Sequence, residues 1–292
     1  VIPHRKLRCG PARRDPGGGG INVARVAQRL GHDATAMFTA GGGVGHQLRV
    51  LVEAEKLNAI AIAIDNETRE DFTVVEHASG AEYRFVSTGP TLHEWEWRVV
   101  LDAIEGLPGP IDYLVASGSL PPGAPADFYA RAVALARARG VPIVVDTSGP
   151  ALEAALAAKV DLFKPSLREM RELTGRELND PASIYGACRD FVEAGKAGIV
   201  ALTLGSQGAI MGTPEGVWRA WPLPIQAVST VGAGDSFLAA MVCSLAEGAE
   251  PAEAFRTGIA AGSAALLSPG TQLCRPEKVA ELKPHVHLDK VA

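Results

Sequence analysis

The sequence predicts an α/β fold, a mostly parallel central sheet with helices packed on both faces. Three observations carry that prediction. Segments rich in Val, Ile and Leu alternate along the chain with segments of helical periodicity. The strand candidates run apolar without alternation, as suits strands buried on both sides. Finally, 292 residues that are 47% hydrophobic and only 21% charged supply a core for one large domain with a satellite.

The elements follow in order. Asp15-Pro-Gly-Gly-Gly-Gly-Ile-Asn22 runs from a turn into a helix over Asn22–Leu30, with Ile21, Ala24, Ala27 and Leu30 at helical spacing and Gly31 placed to end it. Strands at Thr35–Ala40 and Asn58–Ile64 bracket a helix over His46–Glu55. Thr68–Val75 and Ala81–Val86 break the pattern, because they alternate and flank His77-Ala-Ser-Gly80, a hairpin turn. Such a hairpin is either an edge decoration or a lid, and its pattern alone does not choose. Beyond it come a helix at Glu94–Glu105, a strand at Tyr113–Ser117, a helix at Pro125–Arg139 and strands at Pro142–Asp146 and Asp161–Lys164. Helices at Leu167–Thr174 and Pro181–Gly195, a strand at Ile199–Leu204 and helices at Gly232–Glu247 and Pro251–Leu267 complete the series. The closing His285-Val-His287 reads as a solvated tail.

Composition narrows the function. A net charge of −5 argues against general nucleic-acid binding. No apolar run reaches the length of a membrane helix and no secretory leader is visible, so a cytoplasmic protein is expected. Cys9, Cys188, Cys243 and Cys274 show neither C-x-x-C pairing nor zinc spacing, which fits reduced thiols.

The chemistry concentrates in Ser229-Thr-Val-Gly-Ala-Gly-Asp-Ser236. Gly232 and Gly234 turn the chain and leave the backbone amides of residues 232–234 bare, and the following apolar run reads as a buried helix whose dipole adds to them. Asp235 falls in the first turn of that helix. A bound anion beside a carboxylate points to phosphoryl transfer with Asp235 as base; an N-capped core helix after a glycine turn is the plainer reading. The glycine run shifts that balance. Four glycines usually read as a linker. A run leading straight into an amphipathic helix with an Asn in its first turn is better explained as backbone laid closely against a small polar ligand, with Asn22 a fixed donor and acceptor for sugar hydroxyls. There is no G-x-x-x-x-G-K-[ST] segment, H-R-D loop or D-F-G segment, which excludes P-loop and protein-kinase sites. Lys164 closes a strand before Pro165, at the end of a parallel sheet where ligands bind.

Glycines 17–20 with Asn22, and Thr230-Val-Gly-Ala-Gly-Asp-Ser236, resemble the two signatures of the ribokinase-like (PfkB) carbohydrate kinases. Lys6-Leu-Arg-Cys9, Tyr83-Arg-Phe-Val86, Ser117-Gly-Ser-Leu-Pro-Pro-Gly123, Leu204-Gly-Ser-Gln-Gly208 and Gly270-Thr-Gln-Leu-Cys274 extend the resemblance nearly end to end, toward the phosphofructokinase branch of that family. It implies a three-layer α/β/α sandwich over residues 13–65 and 91–292, with a small β lid from residues 1–12 and 66–90 through which two subunits pair. It implies a kinase that moves the γ-phosphoryl of ATP to the 1-hydroxyl of fructose 6-phosphate, with Asp235 as base and Gly232, Ala233 and Gly234 as the anion cradle. Lys6, Arg8, Gly18, Gly19, Asn22, Arg69 and Ser119 match sugar-phosphate contacts, and Arg84 lies on the same lid, where it serves either the sugar or the lid interface. Lys164, Ser166, Thr203, Gly205 and Gly208 match nucleotide contacts, and Glu169 matches the residue that orders Mg²⁺-bound water. A K⁺ ion near Ser229 and Val231 is also implied.

Departures qualify the resemblance. Ser166-Leu-Arg-Glu169 replaces the family's Asn-x-x-Glu, which predicts weaker use of Mg²⁺-ATP, and Ser268 stands where an Asn is expected. The family's first core strand and the acidic contact after it have no counterpart, so the chain reads as N-terminally incomplete. Two further readings follow: a kinase for tagatose 6-phosphate or fructose 1-phosphate, and a non-catalytic sugar-phosphate or nucleotide-binding protein.

Overall fold

The computed structural model describes residues 4, 6–76 and 78–292; His77 of the expected hairpin turn lies outside them. The first elements are helix α1 (Gly19–Arg29), strand β1 (Thr35–Ala40), helix α2 (Gly42–Ala54) and strand β2 (Asn58–Ala63). Strands β3 (Phe72–Val75) and β4 (Glu82–Phe85) form the expected antiparallel hairpin, β3 starting later than Thr68 but ending at Val75 as the alternation suggested, and β4 one residue shorter at each end. Then come α3 (Glu94–Glu105), β5 (Leu114–Ser117), α4 (Phe128–Ala138), β6 (Ile143–Asp146), α5 (Pro150–Ala157), β7 (Val160–Phe163), α6 (Leu167–Thr174) and α7 (Pro181–Glu193). The chain continues through β8 (Ala197–Thr203), β9 (Ala209–Thr213), β10 (Gly216–Ala220), α8 (Ala233–Ala246), α9 (Pro251–Leu266), α10 (Pro276–Leu282) and β11 (Leu288–Lys290).

The larger sheet has the order β11-β10-β9-β8-β7-β6-β5, while β1 and β2 pair in parallel as a separate two-stranded sheet. Strands β5 to β8 run parallel, and β9, β10 and β11 add antiparallel pairs. Side-chain alternation divides two apolar layers across this sheet. Val145, Phe163, Val200, Leu202 and Ile210 face α3–α7, while Val144, Leu162, Ala201 and Met211 face α1, α8, α9 and α10. Both faces are therefore buried, which explains strands without polar alternation. Each fully buried Phe or Leu in these layers contributes about 1.5–3 kcal/mol.

The α8–α9 pair is packed most closely. A Cβ on Gly258 would stand 3.0 Å from the Phe237 carbonyl oxygen, so glycine there lets the helices approach until Phe237 and Phe255 meet edge to face at 5.9 Å. Trp97 is buried beneath the guanidinium groups of Arg98 and Arg131, a packing role.

Several elements differ from the sequence reading. The first helix starts at Gly19, three residues early, because the glycines enter the helix where its tip presses on β5. The Pro125 helix starts at Phe128, and that at His46 begins at Gly42. The C-terminal segment is not a solvated tail: β11 pairs with β10, and Trp221 N donates to His287 O at 3.2 Å. Strands β9 and β10 were not foreseen; a Cβ on Gly212 would stand 3.1 Å from Cys188 Cβ, so glycine there lets α7 pack closely on β9.

Candidate active site

The parallel strands present their carboxyl ends to one region, and the polar residues converge there. Ser117 ends β5, Asp146 ends β6 and Lys164 follows β7. Lys164 Nζ pairs with Asp146 at 3.1 Å, the two side chains being only 9% and 16% exposed, and Ser117 Oγ donates to Asp146 at 3.4 Å. The tip of α1 reaches the same place, because a Cβ on Gly19 would collide with the Ser117 side chain.

α8 arrives from the other side. Gly232 caps it in the left-handed conformation, φ 75, with no side-chain cap, so the first amides of the helix stay available to an anion. Its carbonyl accepts from Ser236 N at 2.9 Å. A Cβ on Gly232 would run into Leu273 Cδ2, and one on Gly234 would sit 3.4 Å from Lys164 Nζ. The glycines therefore do two jobs, packing and leaving amides bare, with an ammonium group directly behind them.

Asp235 stands in the first turn of α8 and accepts a hydrogen bond from Asn22 Nδ2 at 2.7 Å. The two sequence signatures thus meet across 213 residues. Burial holds the Asp235 carboxyl above the usual aspartate range; the Asn22 hydrogen bond opposes this, the Asp146 charge adds to it, and Lys164 and Arg84 oppose it. A carboxylate so placed is a better proton acceptor than a solvated one.

These groups open on a cleft of about 2700 Å³. Among the expected site residues, Lys6, Arg8, Gly18, Gly19, Asn22, Arg69, Ser119, Glu169, Gly232, Gly234 and Asp235 line it. Arg69 Nε lies 3.9 Å from Asp71. β4 of the hairpin leans over the glycine loop that precedes α8, since Ser229 Oγ donates to Glu82 at 3.3 Å. Lys164, Ser166, Thr203, Gly205, Gly208 and Ala233 do not line the cleft. Ser166 forms an isolated parallel bridge with Thr203, and Gly205 and Gly208 belong to the β8–β9 turn. Ser166 instead caps α6: its Oγ accepts from Glu169 N at 3.3 Å while Glu169 Oε2 accepts from Ser166 N at 2.8 Å.

Two residues were missed or under-read. Asp146 was readable as the polar end of the strand Pro142–Asp146, where parallel sheets place ligands. Arg84 was left between sugar and lid interface; it lines the cleft and its charge acts on Asp235.

Residues 3–278 match the pfkB family carbohydrate kinase model. The ATP-dependent 6-phosphofructokinase isozyme 2 of Mycobacterium tuberculosis is 42% identical over 279 residues, covering 96% of this chain and 82% of that protein. Crystal structures of Escherichia coli phosphofructokinase-2 superpose over 98% of this chain and 92% of theirs. The complex with fructose-6-phosphate gives a TM-score of 0.92 at 39% identity, and the complex with potassium 0.93 at 40%.

Proposed function

The chain belongs to the pfkB family of carbohydrate kinases, and from that membership we propose that it is an ATP-dependent 6-phosphofructokinase, transferring the γ-phosphoryl group of ATP to the 1-hydroxyl of fructose 6-phosphate. The observation that carries this reading is Asp235 held by Asn22 beside the uncapped amides of α8. Asp235 takes the proton of the attacking hydroxyl. The amides of Gly232, Ala233 and Gly234 stabilise charge growing on the equatorial phosphoryl oxygens. Lys164, behind Gly234, neutralises the polyphosphate, and Thr203, Gly205 and Gly208 position the nucleotide at the same end of the sheet. Lys6, Arg8, Arg69 and Arg84 form a basic wall for the sugar phosphate, with Gly18, Gly19, Asn22 and Ser119 on the sugar.

Magnesium fits the donors present. Glu169 lines the cleft, its carboxylate held by Ser166 N and beside Arg168. It would therefore order the waters of an ion that keeps several of them and that would supply charge neutralisation at the nucleotide phosphates. A potassium ion is assigned beside Ser229 and Val231, where the Ser229 hydroxyl and the Glu82 carboxylate provide oxygen donors. No helix among the described residues is long and apolar enough to cross a membrane; a cytoplasmic location is part of the proposal. So is a homodimer formed through the hairpin, whose Phe72, Val75, Phe85 and Val86 are all more than half exposed; Phe72→Ser/Phe85→Ser should then sediment as a monomer.

The test is Asp235→Asn in a coupled ADP-release assay with fructose 6-phosphate, tagatose 6-phosphate and fructose 1-phosphate. Turnover should fall about 10²–10⁴-fold with the fold intact, and fructose 6-phosphate should be the best wild-type substrate. Near wild-type turnover in the variant eliminates the assigned base.

A further inference from the structure

Arg25 is the largest fully buried side chain, 2% exposed in the middle of α1. A guanidinium removed from water is tolerated only when its donors are met. Here Nε donates to Glu55 Oε2 at 2.8 Å and Nη2 bonds Glu55 Oε1, a two-pronged ion pair with the end of α2. Nη1 is directed elsewhere. It donates to the Pro16 carbonyl at 3.1 Å, to Asn22 Oδ1 at 3.2 Å and to the Thr271 carbonyl at 3.3 Å. One nitrogen therefore ties the entry to the glycine run, the final glycine turn and the amide of Asn22.

The Asn22 contact has a consequence for Asp235. An asparagine amide is nearly symmetric in shape, so its partners decide which end is oxygen. Arg25 only donates and an ionised Asp235 only accepts. Oxygen toward Arg25 and nitrogen toward Asp235 satisfies both, as observed. The flipped amide would set N–H₂ against guanidinium and oxygen against carboxylate. We propose that Arg25 is a positioning residue for this kinase: it locks the Asn22 amide in the one orientation that donates to Asp235, while Glu55 balances its buried charge. The proposal rests on the reading of Asp235 as base.

The measurable consequence is the acid limb of the pH–rate profile. The groups acting on Asp235 are Asn22 from α1, Arg84 from β4, Asp146 from β6 and Lys164 beyond β7. Burial raises the carboxyl, and the Asn22 hydrogen bond holds it down. A base must be ionised to accept a proton, so losing that bond raises the pKa and moves the acid limb to higher pH. One lost hydrogen bond to a charged group corresponds to a shift of about one pH unit.

The experiment measures kcat/KM for fructose 6-phosphate against pH, with thermal melts, for the full chain and for Arg25→Met, Arg25→Lys and Glu55→Gln. Arg25→Met should raise the acid limb by about one unit and lower the plateau about tenfold. Lysine has the charge but not the fork to reach Glu55 and Asn22 together, so Arg25→Lys should shift the limb the same way, and it decides the matter if the methionine variant does not fold. Glu55→Gln leaves the Nη1 contacts, so it should lower the melting temperature and keep the wild-type limb. A folded Arg25 variant with an unmoved limb overturns the proposal, whatever its stability, and so does a Glu55→Gln limb that moves as far as that of Arg25→Met. Failure of the base assignment is separate, because it shows as an active Asp235→Asn.

Discussion

Replacing Gly232 with alanine separates the packing of the glycine loop from the phosphate-binding role proposed for it. Gly232 caps α8 at φ 75, a left-handed conformation that costs an L-residue about 1–2 kcal/mol. The added methyl would also run into Leu273 Cδ2. Leu273 is itself fully buried, with φ 60, so it has little room to turn aside, and overpacking of this kind costs about 1–3 kcal/mol. Gly232→Ala should therefore lose about 2–5 kcal/mol in urea denaturation. Turnover in the ADP-release assay should fall about 10²–10³-fold, because the displaced amides no longer converge on the phosphoryl group. Trimming the neighbour distinguishes the causes. In Gly232→Ala/Leu273→Ala the methyl occupies vacated space, so the double variant should be more stable than the two single losses predict by about 1–3 kcal/mol. Activity should not return, since the left-handed strain stays at position 232. Strict additivity of the two losses, or recovered turnover in the double variant, would refute the reasoning.

Three other outcomes follow from the same geometry. Burial holds the Asp235 carboxyl above its ordinary value of 3.8, so ionising it penalises the folded state more than the unfolded one; that penalty is full above the folded pKa and absent below the unfolded pKa. Asp235→Asn should accordingly melt higher than wild type at pH 7, with the gain fading as pH falls through that window, and a lower melting temperature at pH 7 contradicts the argument. Lys164→Met strands Asp146 in a largely buried site and should cost about 3–5 kcal/mol, whereas Lys164→Met/Asp146→Asn should recover most of it in chemical denaturation. Ser166→Ala removes the α6 cap seen here and should cost about 1 kcal/mol of stability; a large rise in KM for ATP with unchanged stability would instead favour direct nucleotide contact.

Legibility followed the physics of each segment. α3 and α6 match their predicted bounds because their caps, His93 with Glu96 and Ser166 with Glu169, are written locally. The buried parallel strands were legible from apolar runs alone. The antiparallel side was not: β9 carries Gly212 to admit Cys188, and β11 gains its order from pairing with β10 rather than from its own composition. At the site, Asp235, Asn22 and the glycines were read from motifs, but their contact, spanning 213 residues, was not. Asp146 and Arg25 escaped for a related reason, since a lone charged residue inside an apolar segment gains its meaning only from partners such as Lys164 and Glu55.

The glycines show why motif and packing were never competing explanations. Gly19 makes room for Ser117 and Gly232 for Leu273, while Gly234 lies within van der Waals reach of Lys164. Ser117 supports Asp146, which holds Lys164, and Lys164 lies behind the same amides that Gly232 turns outward. A side chain at position 19 would push Ser117 back, and one at position 232 would collide with Leu273 and shift the turn itself. Misplacement of this kind is enough to spoil in-line transfer. The glycine signature is therefore a packing requirement that, under the proposed reaction, becomes a catalytic one, because the amides it leaves bare are those assigned to the phosphoryl group.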